Sequence, residues 1–512
     1  MYILRLRAVI LIVALIFFLI LGAGCDEDST TEPQGNKPTI VSFTANPSTV
    51  PVGGDSVKLS WEVSGATSLS ISSGIGTVTP TDSGAITVFV SAATVFTLTA
   101  SNSAGNVTTD AQINIAQSIT VNGFVKDIDG EPISGVTVIV KGENPTTTGA
   151  GGSFSIADVT VPYEIRIIIS TQQSAIVYQG LTRSDPTLYY FSSTTQSKFA
   201  TITGTVPPAQ GKTTMVFFIS GTKAWWSTAH PTTGSYSINA DWRGTANSYT
   251  GKLQVLRWTT NNITGLPEQY DAYGSEDNLT ISDGGTFSNH NFTEADFTDP
   301  AEQNISGSII RPSSNYSIDY KYLLMNFGNA TIQLSSQGGV GLTDNFSYIV
   351  PAITGATFEV DAQAQVSALP NNRVTFYRKK GITGGSSGIS VNLESAPQLN
   401  LPTHNGTGID TTTQFLWTQG SGIGVNLVRI MPTIPPGPQY YILTAGNTTY
   451  IPDLSPQGMG LPSNVGYGWS IVKLVPFSSL DEAASATFIP VINGYVEGGS
   501  AISETFNFTS HP

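Results

Sequence analysis

The chain has 512 residues, a formal net charge of −14, and charged residues at only 11%, far below the roughly 25% of ordinary soluble domains. This length indicates several domains, and the sparse charge argues against charge-driven disorder. An acidic chain also disfavours nucleic acid as a partner, because phosphate backbones are bound by clustered Lys and Arg.

The chain begins with the pattern of a secretory signal. Arg5 and Arg7 precede an apolar run at 8–21, and Gly-Ala-Gly then leads to Cys25, the only cysteine. The run is shorter than the about 20 residues of a bilayer span. The pattern resembles the lipobox of bacterial lipoproteins, which implies cleavage of a signal peptide at 1–24 and lipid attachment at Cys25. The alternative is an uncleaved membrane anchor with an incidental cysteine.

A polar tether is predicted at 25–37, because its Asp, Glu, Ser, Thr, Pro and Gly residues cannot bury a core. Acidic residues after a lipidated cysteine resemble surface-export signals in some Gram-negative lineages, whereas Asp26 alone resembles an inner-membrane retention signal in others. We expect the bacterial cell envelope, at the outer membrane or cell surface, with the membrane reached through the lipid. With Cys25 lipidated, no thiol is left for a disulfide, a metal or a nucleophile.

The first module is predicted at 38–117. Apolar residues alternate strictly with polar ones in two segments, Val57-Lys58-Leu59-Ser60-Trp61-Glu62-Val63 and Phe96-Thr97-Leu98-Thr99-Ala100. This period indicates strands with one buried face, and short strands separated by Gly- and Asn-rich turns predict a sandwich. The text around Trp61 resembles bacterial immunoglobulin-like surface modules.

The second module is predicted at 118–198. Asp129-Gly130 predicts a tight turn, and Val136, Val138 and Val140 alternate inwards. Three stretches resemble the carboxypeptidase regulatory-like family, a transthyretin-like sandwich: Val121-Asn122-Gly123-Phe124-Val125, Asp129-Gly130-Glu131-Pro132-Ile133-Ser134-Gly135-Val136, and Gly152-Ser153-Phe154-Ser155-Ile156. The resemblance implies an accessory fold without catalytic activity of its own.

Two diverged copies of this module are predicted, a Trp-rich one at 199–300 and another at 301–395. Each copy has a glycine in its first predicted strand and an aromatic residue in a later one. The two recur in the same order and are separated by similar numbers of residues. The matched positions are Gly123, Gly204 and Gly307 for the glycine, and Phe154, Tyr236 and Phe346 for the aromatic.

The last module is predicted at 396–512. Its strand segments Phe415-Leu416-Trp417-Thr418 and Tyr467-Gly468-Trp469-Ser470-Ile471 resemble a fibronectin type III-like module. Only 480–486 shows a helical pattern. The sequence therefore predicts an all-β chain of tandem β-sandwich modules (Ig-like, transthyretin-like and fibronectin III-like). We expect five modules in a row, each with its own core.

No catalytic residue, metal site or cofactor is predicted, and the chain is not expected to be an enzyme. The four histidines, at positions 230, 290, 404 and 511, lack metal-ligand spacing. Gly384–Gly388 has the letters of a serine-hydrolase elbow but lies in a Gly/Ser loop of an all-β region. Asp127–Glu131 is half of a calcium loop and fits a hairpin turn better.

Four aromatic residues of the Trp-rich module are candidates for stacking on a ligand: Trp225, Trp226, Tyr270 and Tyr273. Neighbours on a strand point to opposite faces, so one of Trp225 and Trp226 should be at least partly exposed in a two-layer sandwich. Exposed aromatics suit a sugar ring or a protein partner. The alternative is that the exposed ring packs under a loop or against another module.

The predicted function is that of a non-enzymatic cell-surface lipoprotein in adhesion, display or scaffolding. A glycan-binding lipoprotein that captures polysaccharide is the first alternative, suggested by the Trp-rich module. A secreted hydrolase with an unfamiliar site is the second.

Overall fold

The computed structural model describes residues 35–51, 53–339, 342–366 and 372–512. The predicted signal peptide and Cys25 lie outside these residues. The chain divides into two compact units, Met1–Ala116 and Gln117–Pro512. Across the described ranges, no helix has both the length and the hydrophobicity needed to cross a membrane.

Module 1 is a two-sheet sandwich with the sheet orders β1-β3-β6 and β2-β8-β7-β4-β5. The alternating residues Val57, Leu59 and Trp61 of β3 are buried between the sheets, and the Trp61 indole donates a hydrogen bond to the Pro80 carbonyl at 3.1 Å. Its strands are β1 (Thr39–Asn46), β2 (Thr49–Val50), β3 (Asp55–Ser64), β4 (Ser68–Ile71), β5 (Gly76–Val78), β6 (Ser83–Val90), β7 (Thr94–Asn102) and β8 (Gly105–Ile115).

Modules 2, 3 and 4 each contain seven strands. Those of module 2 are β9 (Ser118–Asp127), β10 (Thr137–Val140), β11 (Thr146–Thr147), β12 (Ser153–Thr160), β13 (Tyr163–Ile169), β14 (Ser174–Leu181) and β15 (Thr187–Tyr190). Those of module 3 are β16 (Lys198–Thr205), β17 (Lys212–Ser220), β18 (Lys223–Thr228), β19 (Ser235–Trp242), β20 (Ser248–Thr260), β21 (Pro267–Ser282) and β22 (Thr286–Phe287). Those of module 4 are β23 (Glu302–Ile310), β24 (Ser317–Phe327), β25 (Ala330–Gly338), β26 (Asn345–Pro351), β27 (Ala356–Val366), β28 (Arg373–Ile382) and β29 (Ile389–Asn392).

These three modules share one topology. In each, the first strand lies between the fourth and seventh strands in a three-stranded sheet, and the second, third, fifth and sixth strands form the other layer. The recurring glycine sits directly opposite the recurring aromatic, as Gly123–Phe154, Gly204–Tyr236 and Gly307–Phe346. A Cβ at this glycine would clash with a backbone carbonyl in or beside the seventh strand, that of Pro186, His290 or Ile389, and at Gly123 also with the Phe154 ring. The missing side chain therefore allows that part of the chain to lie close to the first strand.

Module 5 has the sheet β30-β32-β35 packed against a layer that contains β34-β33-β36. The helical pattern at 480–486 corresponds to a short α1, whose N-cap Ser479 accepts a hydrogen bond from Glu482 N, followed by α2. Its elements are β30 (Gln398–Leu401), β31 (Gly406–Ile409), β32 (Phe415–Thr418), β33 (Val425–Pro432), β34 (Gln439–Thr444), β35 (Thr448–Thr449), β36 (Gly466–Val475), α1 (Leu480–Ala483), α2 (Phe488–Ile492), β37 (Gly498–Ile502) and β38 (Phe506–Ser510).

Strand pairing joins modules 2, 5 and 4 into a continuous sheet of order β11-β10-β13-β14-β34-β33-β36-β37-β28-β27-β24-β25. The junctions are a parallel pairing of β14 with β34 and an antiparallel pairing of β37 with β28. The expectation of separate modules in a row is therefore wrong for 117–512. Edge strands that would be open in isolated sandwiches find partners in another module.

The hydrophobic cores of this unit are shared as well. One face of the β13–β14 region packs with Val425, Leu474 and Phe488 of module 5, and the opposite face packs with Trp417, Trp469 and other module 5 residues. A third core combines module 4 with module 3 residues. A fourth core lies within module 3. The expectation of a separate core thus holds for module 1 and fails for modules 2, 4 and 5.

Candidate functional site

Trp225 is part of a core and is not available for stacking on a ligand. It is 8% exposed, its indole donates to the Asp241 carbonyl at 2.7 Å, and its ring packs on Phe218 and edge-on against Trp242 and Tyr249. The candidate role predicted for Trp225 is therefore wrong, because the ring fills the inside of the sandwich.

Trp226 points to the opposite face and is 46% exposed, as the alternation along the strand predicts. It lies opposite Phe217 on β17, and Phe217 belongs to the core shared with module 4. β18 also runs beside β25 of module 4. Trp226 thus borders the junction of modules 3 and 4. This position is close to the one expected if its ring packs against a neighbouring module.

The two tyrosines of the same module do not form an exposed patch. Tyr270 is 1% exposed, and its hydroxyl donates to the Ile349 carbonyl at 3.3 Å. Tyr273 is half-buried and donates to Gln254 at 2.7 Å. Burial raises the pKa of both phenols. The candidate role of Tyr270 is wrong, because its ring is needed where modules 3 and 4 meet.

The polar motifs have structural roles. The buried Asp127 carboxylate accepts hydrogen bonds from the backbone N–H groups of Asp129 and Glu131 at 3.0 and 2.9 Å and from Thr194, which is the arrangement of a hairpin turn. Ser386 lies in the loop between β28 and β29 and contacts Thr383. Within the described ranges, no three His, Cys, Asp or Glu residues are grouped for a metal ion.

A partly exposed pair of aromatic side chains lies on β24 of module 4, outside the sites predicted from the sequence. Tyr320 and Tyr322 project from the same face, with nearly parallel rings at 9° and centroids 6.0 Å apart. Tyr320 is 42% exposed. Gly338 lies opposite it on β25, and a Cβ there would come within 2.8 Å of the Tyr320 ring. The missing side chain lets the ring lie across β25.

Polar side chains of β27 and β28 continue this surface. Gln363 lies opposite Tyr320, and Asp361 lies opposite Tyr322. Arg378 lies opposite Asp361 on the next strand. Cross-strand neighbours share a face, so these five residues form one surface, which we call the tyrosine face.

One end of the tyrosine face runs into a buried ionic network. Glu359 is paired with Arg378 at 3.1 Å and with Lys380 at 2.7 Å, and it accepts from Asn326 at 3.1 Å. Asp361 is 5% exposed, and its Oδ1 has no hydrogen-bond partner among the described residues. Burial and the neighbouring Glu359 carboxylate raise the pKa of Asp361 to about 9.

The other end of the tyrosine face opens into a cleft of about 870 Å³ beside Tyr320. Its polar lining includes Asp319, which accepts from Gln363 at 3.0 Å, and Gln365. Arg311 is held by Asp344 through contacts of 2.7 and 2.8 Å. The cleft is within the range of about 300–1,000 Å³ that is usual for small-ligand sites.

The sequence carries a signal for this surface. In Asp319-Tyr320-Lys321-Tyr322 the two tyrosines are two residues apart, which on a strand places both rings on one face. Asp361 and Gln363 have the same spacing. What the sequence does not reveal is that β24 and β27 are neighbours and that their common face is partly exposed at Tyr320.

Comparisons with known proteins show only distant likenesses. No family model matches the chain, and no curated protein matches it. Among solved structures, the four N-terminal Ig domains of Dscam1 isoform 1.9 are 10% identical, with 93% of this chain and 98% of that chain covered and a TM-score of 0.17. The Bacillus anthracis TIE protein is 11% identical, with 71% and 75% covered and a TM-score of 0.15. These scores are too low to carry an argument about function.

Proposed function

We propose that this protein is a non-enzymatic cell-surface binding protein, which acts in adhesion, display or scaffolding. The observation that carries the proposal is the open tyrosine face on a sheet that runs through three modules. Since the strands beneath the face are paired on both sides, its side chains keep a fixed arrangement, which lowers the entropic cost of binding.

The proposal includes lipid anchoring at Cys25 and a position on the outer surface of a bacterial envelope. The lipobox-like text before Cys25 supports it. Mass spectrometry of the mature N-terminus tests the anchor: a diacylated or triacylated Cys25 is expected, and Cys25→Ser should shift the chain from the membrane fraction to the soluble fraction. An unmodified Cys25 behind an intact 1–24 segment would contradict it.

Adhesion is tested on cells that carry the full chain and on matched cells that lack it. Protease added to the intact carriers should cleave the surface-displayed chain, and the carriers should be retained in greater number on a polysaccharide-coated or protein-coated surface. Equal retention of the two strains on every coating would reject adhesion. Protection of the chain from added protease would reject surface display.

Polysaccharide capture through the Trp-rich module, the alternative predicted from the sequence, is a weaker proposal. With Trp225 and Tyr270 buried, Trp226 is the one strongly exposed ring of the four candidates. A hydrolase is also weakly supported, since the carboxylates of the cleft, Asp319 and Asp344, are engaged by Gln363 and Arg311.

A further inference from the structure

We propose that the tyrosine face binds a neutral polysaccharide chain, an inference that rests on the proposed binding function and names its ligand class. The face consists of Tyr320, Tyr322, Asp361, Gln363 and Arg378, and it continues into the cleft beside Tyr320.

The aromatic pair supplies a flat apolar surface. The two rings are nearly parallel, and Tyr320 lies opposite Gly338, so a side chain at that position of β25 does not screen its ring. A sugar ring has a face of C–H groups that packs on such a surface, while its hydroxyls point outwards to polar neighbours. Tyrosine suits this position, because it has an apolar ring with a polar end.

The polar neighbours match the hydroxyls of a sugar. Gln363 has an amide beside Tyr320, and the Oδ1 atoms of Asp319 and Asp361 are buried without a hydrogen-bond partner in the described part of the chain. A buried acceptor without a donor is costly. Asp319 lines the cleft beside Tyr320, where a hydroxyl of the ligand would supply the donor that its Oδ1 atom lacks.

Charge favours a neutral ligand over an anionic one. Arg378, the cation of the face, is already engaged by Glu359 and Asp361 and lies 5.2 Å from the centre of the Phe376 ring. The chain as a whole carries a formal charge of −14. A polyanion would therefore meet carboxylates and a neutralised arginine, and would be repelled.

The same residues disfavour a protein partner. The centre of a protein interface is depleted of acidic residues and rich in apolar ones. Here Gln363 lies beside Tyr320, Asp361 is almost fully buried next to Tyr322, and Asp319 lies at the rim of the face. The cleft beside Tyr320 gives the chain of sugar units room to continue past the platform.

The test uses the purified full chain in native gels that contain a soluble neutral polysaccharide. The probes are a β-glucan, a xylan, a mannan and a galactan, with alginate as the anionic comparison. We expect at least one neutral polymer to retard the chain and alginate to have no effect. The affinity of the Tyr320→Ala/Tyr322→Ala variant should be at least about tenfold lower than that of the parent. The Tyr320→Phe/Tyr322→Phe variant, which keeps both rings, should retain most of the binding.

Two matched variants locate the site. Tyr450→Ala removes a comparably exposed tyrosine of module 5, and Trp226→Ala removes the exposed tryptophan of module 3. Both should bind as the parent does. Circular dichroism and thermal unfolding establish that each variant is folded. The proposal is overturned if no neutral polymer binds, if alginate binds best, if the double alanine variant binds normally, or if Trp226→Ala abolishes binding.

Adhesion of cells separates this inference from the proposed function. If cells with the double alanine variant adhere as the parent does and the purified parent binds none of the neutral polymers, the saccharide inference fails while adhesion stands. If the purified parent binds a neutral polymer through Tyr320 and Tyr322 but carriers and non-carriers adhere equally, the site stands while adhesion fails.

Discussion

Module 1 and the unit 117–512 are built from the same kind of strand but differ in what those strands pair with. In module 1 each strand pairs within the module, and one core lies between its two sheets. In the larger unit, β14 and β28 pair with strands of module 5, and three cores draw residues from more than one module. Period-two alternation thus specifies a strand with a buried face, whereas the partner at its edge decides whether the module is independent.

Truncation should give the largest contrast between the two units. A fragment of residues 35–116 keeps every strand pair of module 1 and is expected to unfold cooperatively. A fragment of residues 117–395 loses β33, β34, β36 and β37, which leaves two edges unpaired and much of the shared core exposed. It should aggregate or lack a cooperative transition by circular dichroism. Cooperative, protease-resistant folding of 117–395 would show that the shared sheet is dispensable.

Removal of one buried tryptophan from each unit should reveal two separate unfolding transitions. Trp61 is buried in module 1, and Trp469 is buried in the core that modules 2 and 5 share. Each change to alanine should cost about 3–5 kcal/mol. In calorimetry of the full chain, Trp61→Ala should lower the melting temperature of one transition only, and Trp469→Ala should lower the melting temperature of the other. A shift of both transitions by either variant would contradict the division.

Glu359→Ala should lower the free energy of unfolding of the larger unit by at most about 3–5 kcal/mol. This effect is similar to or somewhat smaller than that of the tryptophan variants. The change leaves Arg378 and Lys380 with an uncompensated charge in a largely buried place. Denaturant unfolding gives the change in free energy. The exposed Glu143 of module 2 serves as the control, because its change to alanine should stay within about 0.5 kcal/mol. Equal effects of the two variants would mean that the network contributes little.

The last expected effect is a pH dependence at Asp361, measured as a difference between melting temperatures at two pH values. Its folded-state pKa is raised to about 9, against about 3.9 in an unfolded chain. Between these values the folded state holds a proton that the unfolded state releases, so stability falls as pH rises from about 4 to about 9. Asp361→Asn should therefore raise the melting temperature at pH 8 more than at pH 5. The exposed Asp110→Asn should show no such difference, and a pH-independent shift in Asp361→Asn would refute the assignment.

Local features of the fold could be predicted from the sequence. Strand alternation identified the buried faces of module 1. The recurrence of Gly123, Gly204 and Gly307 could also be read from the sequence, although their pairing with an aromatic on the neighbouring strand is seen only in the structure. Alternation also required that Trp225 and Trp226 differ in exposure, although it did not say which one is buried. These inferences need only the two-residue period with which side chains alternate along a strand and the absence of a side chain at glycine.

Features that depend on distant pairing could not be predicted. The parallel contact of β14 with β34 joins residues more than two modules apart in sequence, and a strand pattern does not identify its partner. For the same reason the sequence does not show that Tyr270 is buried, because its hydroxyl donates to Ile349 of another module. The tyrosine face was missed because its polar half comes from β27 and β28, which no local pattern links to Tyr320.

The position of β37 in the continuous sheet has a consequence for biosynthesis. This strand lies near the C-terminus and bridges β36 and β28. Modules 2 and 4 therefore emerge from the ribosome, and from any export channel, well before the strands that complete them. Their edges stay unpaired during this interval, which is when such edges are prone to join the wrong partner. Assembly of the larger unit must wait until β34 and β37 have been made, so a truncation by a protease or a premature stop codon that removes β37 would leave the β28 edge of module 4 unpaired.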